Sequence, residues 1–489
     1  MLITNARVGD AIVDLRLRDG VITELGVLGG TGLDLQGRWL IPGLWDEHVH
    51  FTQWALARRR LDLQAAASAR EVAVLVADAV AHSAVPVPVP VSRRLFGGSR
   101  DEPAVIVGTG FRDALWPDAP TRAMLDVAAP NTPVVLISGD VHSCWLNSRA
   151  LERFGFAGHD TGLLREDESF AVVRRLDGVA ADQVETSIAD AAEAAAARGV
   201  VGITDLEFGW NFDAWRSRMD AGFDLLRVDA GIYPEHLEKA IGLGLSTGQR
   251  LTGLLSVGPA KIISDGSLNT RTAYCVDPYP GVGDLPHGML NVQPGDLVEY
   301  LRRASGNGLL PAVHAIGDEA NQLALDAFEA VGCRGRIEHA QLLRWEDLRR
   351  FAELGIVASV QPEHALDDRD VADRYWSSRT DRAFLLRSLL DAGATLKLGS
   401  DAPVAELDPW VSIAAAVSRS KNGREPWHAE QSITVDEAIA ASVRSSIGVG
   451  QPADLVVLEQ DPREATADQL RAMPVAATML AGRFTHSTL

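Results

Sequence analysis

Residues 40–50 read LIPGLWDEHVH, a short apolar run that ends in two histidines separated by one residue. Along a β-strand, residues i and i+2 point to the same side, so the imidazoles of His48 and His50 can face a single metal ion. The pair alone fits two solvent-exposed histidines equally well. Its meaning therefore depends on which residues end the other strands of the chain.

Similar apolar runs follow along the chain and alternate with stretches rich in Ala, Leu and Arg that are typical of helices. A parallel sheet with crossover helices requires this alternation. Counting the run before His48, about eight strands are predicted. The others are PVVLIS (133–138), VVGITDL (200–206), AKIISDG (260–266), LLPAVHA (309–315), GRIEHA (335–340), IVASVQP (356–362) and TLKLGSD (395–401). We therefore expect an α/β protein with a (β/α)₈ TIM-type barrel over residues 43–446.

The two chain ends differ from this central part. Residues 1–42 and 447–489 contain short strand-like runs broken by Gly and Asp, which predict one small, discontinuous β-sandwich domain. Within the barrel range, residues 83–103 alternate Pro with Val and then become rich in Gly, Ser and Arg. This composition predicts an extended inserted segment that acts as a lid or a linker.

The composition narrows the class of protein and its partners. Of 489 residues, 46% are hydrophobic, which is enough for a sizeable core. The net charge of -20 repels nucleic-acid phosphates and anionic membrane surfaces, so we expect neither as a partner. The widely spaced Cys144, Cys275 and Cys333 favour a reducing compartment over a disulfide framework. No apolar stretch approaches the roughly 18 residues that span a bilayer, and a cytoplasmic protein is predicted.

Polar side chains end several of the predicted strands. His314 and His339 each finish an apolar run, and Asp401 finishes the run TLKLGSD. A barrel builds its active site at the C-terminal ends of its strands, and a buried carboxylate there needs a cation or a proton. Each histidine alone fits a hydrogen-bonded core residue. Together with His48 and His50, these residues predict a metal site.

Lys261 lies inside the apolar run VGPAKIISDG. One interpretation is that its amine reaches water from the end of the strand. The other is that burial lowers its pKa, so that the amine takes up carbon dioxide and supplies two oxygen donors able to bridge two ions. Oxygen donors and imidazoles together suit zinc, and also manganese, iron or cobalt.

Several ordered blocks resemble the amidohydrolase superfamily, in particular its branch of N-substituted formamide deformylase-like hydrolases. The strongest blocks are IPGLWDEHVH (41–50), KIISDGSLNTRTA (261–273), PAVHAIGDEA (311–320), RIEHAQ (336–341) and LKLGSDAPV (396–404). Weaker ones are FRDALWPDAPTR (111–122), VHSCWLNSRAL (141–151), TGLLRE (161–166) and ADLVVL (453–458). The resemblance therefore extends over nearly the whole chain.

This resemblance implies a hydrolase with one or two divalent ions, which we expect to be zinc. The implied metal ligands are two histidine pairs, a carbamylated lysine between the ions and an aspartate that also acts as the catalytic acid/base: His48 with His50, His314 with His339, Lys261 and Asp401. Neighbouring residues would contact substrate: His142, His364 and Arg271. Others would orient the ligands by hydrogen bonds: Asp265, Asp318 and Glu338. Loop hydrogen bonds and surface salt bridges are the rival interpretations for these flanking residues.

The expected reaction is hydrolysis of an amide, formamide or cyclic amide C–N bond in a small molecule, by metal-activated water. An esterase, a lactonase or a phosphoesterase could use the same hydroxide, and a catalytically inactive ligand-binding barrel is a further alternative. Retention of Asp401 argues against the inactive barrel. Asn269 and Thr270 replace the Gly-Ser of the family pattern, so substrate choice is expected to differ from that of relatives. A homodimer is the default oligomer.

Overall fold

The computed structural model of the protein describes residues 1–82, 105–176 and 181–489. The predicted inserted segment 83–103 lies outside these described residues. Within the described ranges, no helix combines the length and the apolar character needed to cross a membrane.

The centre of the molecule is a barrel of eight parallel strands, in which each strand pairs with the next one along the chain. We number them β1 to β8: Leu44–Val49, Val200–Asp205, Arg227–Ile232, Leu255–Ile263, Pro311–Ala315, Gly335–His339, Ile356–Val360 and Thr395–Leu398. Strands of a parallel barrel are covered on both faces, and every residue of β2 is accordingly buried. The predicted α/β barrel is confirmed.

Backbone hydrogen bonds join β1 to β8 just beyond the ends of these strands. The N–H of Asp401 donates to the carbonyl of His48 at 2.7 Å, and the N–H of His50 donates to the carbonyl of Ala402 at 2.8 Å. This closure places the predicted carboxylate beside His48, near the end of β1, and His50, which follows β1. The predicted ligands on β4, β5 and β6 lie toward the same end of the barrel.

Helices surround the barrel and cover its strands with apolar side chains. A typical one, Asp318–Val331, follows β5 and ends at Gly332, whose φ of +69° suits a residue without a Cβ. The remaining α-helices of the described ranges are Phe51–Ala57, Ala69–His82, Arg122–Ala128, Ser148–Phe154, Asp167–Leu176, Ala181–Ala196, Phe212–Asp220, Leu237–Gly242, Pro294–Ser305, Leu348–Leu354, Pro362–Asp367, Arg369–Tyr375, Leu386–Asp391, Pro409–Ser418, Val435–Ala441 and Ala467–Arg471. Short 3₁₀ turns occur at Asp113–Leu115, Pro234–His236, Trp345–Asp347, Thr380–Arg382, Ala429–Gln431 and Pro462–Glu464.

The two chain ends form one separate sheet, as predicted. Its strands are Leu2–Val8, Ala11–Arg18, Val21–Gly26, Leu33–Asp34 and Trp39–Pro42 from the first end, and Leu455–Leu458, Val475–Leu480 and Arg483–Ser487 from the second. Antiparallel pairing of Trp39–Pro42 with Leu455–Leu458 joins the two ends. Buried side chains from both ends, such as Ile3, Leu15 and Met479, share one core. The domain limits 42/43 and 446/447 stay a prediction.

A further five-stranded sheet is inserted between β1 and β2. It consists of Leu61–Asp62, Ile106–Phe111, Val134–Ser138, Ser143–Leu146 and Leu163–Arg165. The expectation that residues 133–138 form a barrel strand is therefore wrong, because an apolar run fits any fully buried strand. The barrel strand that the sequence did not reveal is β3. Its charges are compensated by distant residues, Arg227 by Asp454 and Asp229 by Arg444, so it does not read as an apolar run.

Candidate metal centre

The six predicted metal ligands converge on one small cavity at the C-terminal end of the barrel. We call it the histidine cavity: His48, His50, Lys261, His314, His339 and Asp401 line it, and its volume is about 40 Å³. Each of these side chains comes from a different strand end, apart from the two that belong to β1. The barrel topology therefore brings together residues that are up to 353 positions apart, from 48 to 401.

One group of short contacts centres on Asp401. Its Oδ1 lies 3.3 Å from Nε2 of His48 and 3.4 Å from Nε2 of His50. The Lys261 Nζ lies 3.3 Å from the same His48 Nε2. One ligand atom each from His48, His339 and Asp401 lie within 4.8 Å of one another, which is the separation expected of donors around one ion.

The second histidine pair adjoins this group. The ring centroids of His314 and His339 are 4.5 Å apart, and those of His48 and His339 are 5.1 Å apart. His339 has a left-handed backbone with φ of +75°, and Asp401 has φ of +56°. Non-glycine residues in this conformation each cost about 1–3 kcal/mol and concentrate at functional sites.

The protein environment keeps the imidazoles of His48, His314 and His339 neutral. Burial, together with the nearby Lys261 charge, lowers the pKa of His48 to about 4. Burial also lowers the pKa values of His314 and His339 well below the usual range, with further lowering from Lys261 and His142 at His314 and from His314 at His339. Neutral imidazole is the form that coordinates a metal ion.

The pKa values of Asp401 and Lys261 are lowered, and both shifts favour coordination of a metal ion. Burial alone would raise the pKa of Asp401, but His48, His50 and His339 hold it well below its usual range, so the carboxylate is anionic. Burial lowers the pKa of Lys261 to about 8. Lys261 is 1% exposed and lines the histidine cavity, so its amine does not extend to the outer surface of the protein.

The donor set fits a divalent ion. Nδ1 of His50 and Nδ1 of His339 are buried, and neither has a hydrogen-bond partner among the described residues. A buried polar atom without a partner is costly, and coordination to an ion removes that cost. Imidazoles with a carboxylate are ligands that zinc and related divalent metals accept.

Two of the predicted orienting residues contact the ligands. Oε2 of Glu338 lies 2.8 Å from Nδ1 of His48. Asp265 lies 3.5 Å from Nε2 of His314 and accepts backbone N–H groups of Ile316 and Gly317 that follow β5. These contacts can fix the orientation of both imidazoles.

Two other predicted residues lie elsewhere. Asp318 pairs with Arg382 at 3.2 Å and lines a separate surface depression. Arg271 lines another depression, where its guanidinium lies 5.6 Å from the ring centroid of Tyr375. Proximity to a ligand in the sequence did not place either side chain in the histidine cavity.

The two histidines predicted to contact substrate are both adjacent to the ligands. His142 lines the histidine cavity and its Nδ1 lies 2.9 Å from Oε2 of Glu166. Burial alone would lower the pKa of His142, but Glu166, with Asp140 and Asp401, raises it to about 9. His364 stacks on His339 at 6.0 Å, and its buried Nε2 has no partner among the described residues.

Aromatic side chains that the sequence did not point to form one wall of the cavity. Phe208, after β2, lies 5.2 Å from His50 and 5.0 Å from Tyr233, which follows β3. Phe170, from the inserted region, lies 5.5 Å from Phe208. The positions of Phe208 and Tyr233 directly after barrel strands were the available signal. Phe170 gave none, because only the tertiary fold brings its helix over the barrel.

Beneath the cavity, the barrel interior contains a chain of ion pairs that we call the ion-pair ladder: Asp229, Arg444, Glu47, Arg336 and Glu338. Nε of Arg444 donates to Glu47 at 2.8 Å, and Nη1 of Arg336 lies 3.3 Å from Glu47. Nε of Arg336 lies 2.5 Å from Glu338, which in turn contacts His48. Burial alone would raise the pKa of Glu47, but Arg444, Arg336 and Lys397 lower it to about 2.

Known proteins resemble the chain over nearly its full length. A family model described as "Amidohydrolase family" matches residues 31–486. The chain is 29% identical to Protein LONG AFTER FAR-RED 3 of Arabidopsis thaliana, over 96% of this chain and 87% of that protein. It is 28% identical to N-substituted formamide deformylase of Arthrobacter pascens, over 74% of this chain and 75% of that protein. A solved structure, an uncharacterized metal-dependent hydrolase from Pyrococcus horikoshii OT3, shares the fold with a TM-score of 0.76 at 24% identity, covering 96% of this chain and 99% of that one.

Proposed function

The chain belongs to the amidohydrolase family, and on this premise we propose that it is a metal-dependent hydrolase that cleaves a C–N bond in a small-molecule amide, formamide or cyclic amide. The observation that carries the proposal is the histidine cavity, in which the neutral imidazoles of His48, His314 and His339 lie together with the anionic carboxylate of Asp401. The name of the deformylase relative supports the choice of an amide-type bond.

His48 and His50 would hold one divalent ion and His314 and His339 a second. The lowered pKa of Lys261 supports its role as a carbamate between them, because a neutral amine can take up carbon dioxide. When bound, zinc or a similar ion supplies an activated water and polarises the substrate carbonyl.

Asp401 is the proposed catalytic acid/base. Its carboxylate is anionic, which is the form that a general base requires, and its contacts with His48 and His50 put it beside the proposed metal ligands. The carboxylate would take the proton of the water and deliver it to the departing nitrogen. Such transfer contributes about 10²–10⁴-fold to the rate.

The walls of the cavity indicate how a substrate is held. Phe170, Phe208 and Tyr233 offer apolar surface to the group attached to the nitrogen. His142, whose ring centroid lies 5.4 Å from that of Phe170, is engaged at Nδ1 by Glu166, which leaves Nε2 to donate to a substrate oxygen. We therefore propose a small amide with an apolar substituent on its nitrogen.

The test is a substrate panel applied to protein of measured metal content. Formamides, acylamides and cyclic amides of aromatic and aliphatic amines are compared with matched esters and phosphotriesters. We expect bound divalent metal and preferential hydrolysis of an amide. Protein that binds no divalent metal and hydrolyses nothing on the panel would refute the proposal, and preference for an ester or phosphotriester would replace the bond that we assign.

Asp401→Asn tests the mechanism on whichever substrate is hydrolysed. We expect kcat/KM to fall by about 10²–10⁴-fold with an unchanged circular dichroism spectrum. Asp391→Asn is the matched control, because Asp391 pairs with Arg387 on the surface, where its side chain is 65% exposed. Full activity in Asp401→Asn would exclude Asp401 as the acid/base.

A further inference from the structure

Three arginines line a surface depression of about 670 Å³ that shares no lining residue with the histidine cavity. Arg165 ends the last strand of the inserted sheet, Arg271 lies in the loop after β4, and Arg374 lies in the last turn of helix Arg369–Tyr375. The only acidic residue that lines it in the described part of the chain is Asp284.

Within the described ranges, none of these three guanidinium groups has an anionic partner at contact distance; Asp113 attracts Arg165 and Arg271 electrostatically from further away. Among the described residues, none of the three makes an ion pair or a side-chain hydrogen bond, and this holds for Asp284 as a possible partner too. Arginines elsewhere are typically paired: Arg112, for example, contacts both Asp367 and Asp368. In a chain with a net charge of -20, a depression lined by three arginines and one aspartate is locally rich in positive charge.

The cluster is also ordered by the fold. The Tyr375 ring lies 5.6 Å from the guanidinium of Arg271 and 5.2 Å from that of Arg374, so one aromatic ring contacts both groups. Arg271 has a left-handed backbone with φ of +59°, and its N–H donates to the carbonyl of Leu268 at 2.9 Å. Burial and the neighbouring charge of Arg271 lower the pKa of Arg165, and the opposing attraction of Asp113, Asp140 and Glu166 does not reverse this shift.

We propose that Arg165, Arg271 and Arg374 form a binding site for the oxyanion group, carboxylate or phosphate, of a small molecule. Planar guanidinium groups bind such oxygens through paired, charge-assisted hydrogen bonds. An anion would also relieve the repulsion between Arg165 and Arg271. Anion binding at this site does not depend on the proposed hydrolase activity.

The depression adjoins the residues that hold His142. Glu166 follows Arg165 in the chain and contacts His142 at 2.9 Å, and Thr272 follows Arg271 and donates to Glu166 at 2.5 Å. An anion bound by Arg165 and Arg271 would therefore link the two segments that contain Glu166 and Thr272, which position the imidazole of His142.

Isothermal titration calorimetry at low ionic strength tests the site, with inorganic phosphate and succinate as separate probes. We expect saturable binding of at least one probe to the wild-type protein. In Arg165→Ala/Arg271→Ala the affinity should fall at least about tenfold, since each charged hydrogen bond contributes strongly. High salt should weaken wild-type binding, because the partly exposed cations are screened.

The matched control is Arg250→Ala/Arg349→Ala, which removes the same charge at exposed positions outside the depression. It should bind the probe as wild type does. Arg271→Lys, which keeps the charge but loses the planar fork, should bind with intermediate affinity. Equal binding by the two double variants would place the anion elsewhere, for instance at the metal centre, and would overturn the proposal, as would the absence of binding to wild-type protein. The probe that binds more tightly identifies the oxyanion.

Discussion

The histidine cavity and the ion-pair ladder occupy the same barrel interior but treat buried polar groups in opposite ways. In the ladder, each charged group faces a group of opposite charge, as Glu47 does between Arg336 and Arg444. In the cavity, the imidazoles of His48, His314 and His339 are kept neutral, and Nδ1 atoms of His50 and His339 have no partner among the described residues.

This difference separates a structural polar cluster from a binding site. An unpaired buried charge is expensive, so a fold that compensates its own ions needs nothing further at that place. Donors that are buried, neutral and unpartnered are stabilised only by something that is not part of the chain. The cavity therefore calls for a ligand and the ladder does not.

Breaking the ladder should have the largest effect on stability. In Arg336→Met, Glu47 loses one of its cations and Glu338 loses its ion pair with Arg336, and all three side chains are nearly inaccessible. Removing one partner of a buried pair costs about 3–5 kcal/mol, and we expect the free energy of unfolding to fall by that amount in urea denaturation.

Arg424→Met is the control for this loss. Arg424 pairs with Asp370 at 2.6 Å, but its side chain is 44% exposed, and surface pairs contribute only about 0–1 kcal/mol. Equal stability of the two variants would mean that the ladder is not a structural cluster, and the contrast with the cavity would disappear.

A charged imidazole at the edge of the cavity gives the next effect. The pKa of His142 is raised to about 9, so the folded state binds its proton more tightly than the unfolded chain does, whose histidine pKa is about 6.5. The stabilisation is complete below about pH 6.5 and is lost as the pH rises through 9. It amounts to on the order of 3 kcal/mol.

The measurement compares the free energy of unfolding of wild type and His142→Gln between those pH values. Lys261, whose pKa is lowered to about 8, acts in the opposite direction above that pH because folding favours its neutral form. Both proteins contain Lys261, so the difference between them isolates His142. Parallel pH profiles would show that Glu166 does not stabilise a charged imidazole here.

The sequence predicted the barrel and the six converging residues because both depend on regular signals. Apolar strands alternate with helices, and polar residues follow strands whose ends must meet in a barrel. Strand β3 was not predicted because it contains the charged residues Arg227 and Asp229. Their partners, Asp454 and Arg444, lie more than 200 positions away in the sequence.

Residues that depend on loop conformation were not predictable in the same way. Arg271 follows the DGSL block closely, yet it lies against Tyr375 in a different depression. Glu166 and Phe170 come from the inserted region, and no periodic pattern reports that this region covers the barrel mouth. Their positions follow from tertiary contacts between segments that have no fixed spacing.

Glu338 connects the ion-pair ladder with the histidine cavity. Removing its charge has the smallest expected effect and tests whether the ladder orients a metal ligand. Its carboxylate contacts Arg336 at 2.5 Å in the ladder and Nδ1 of His48 at 2.8 Å at the cavity. If His48 donates its Nδ1–H to Glu338, the Nε2 lone pair faces Asp401 and Lys261, as a metal ligand requires.

Glu338→Gln keeps the size of the side chain but weakens the hydrogen bond that orients His48. We expect zinc affinity, measured by competition with a chromogenic chelator, to fall about 10–100-fold. Glu319→Gln, which alters a half-exposed pair with Arg344, should leave the affinity unchanged. If Glu338→Gln binds zinc as tightly as wild type does, then the ion-pair ladder has only a structural role and Glu338 does not orient His48. In that case the residues that line the histidine cavity determine metal binding by themselves.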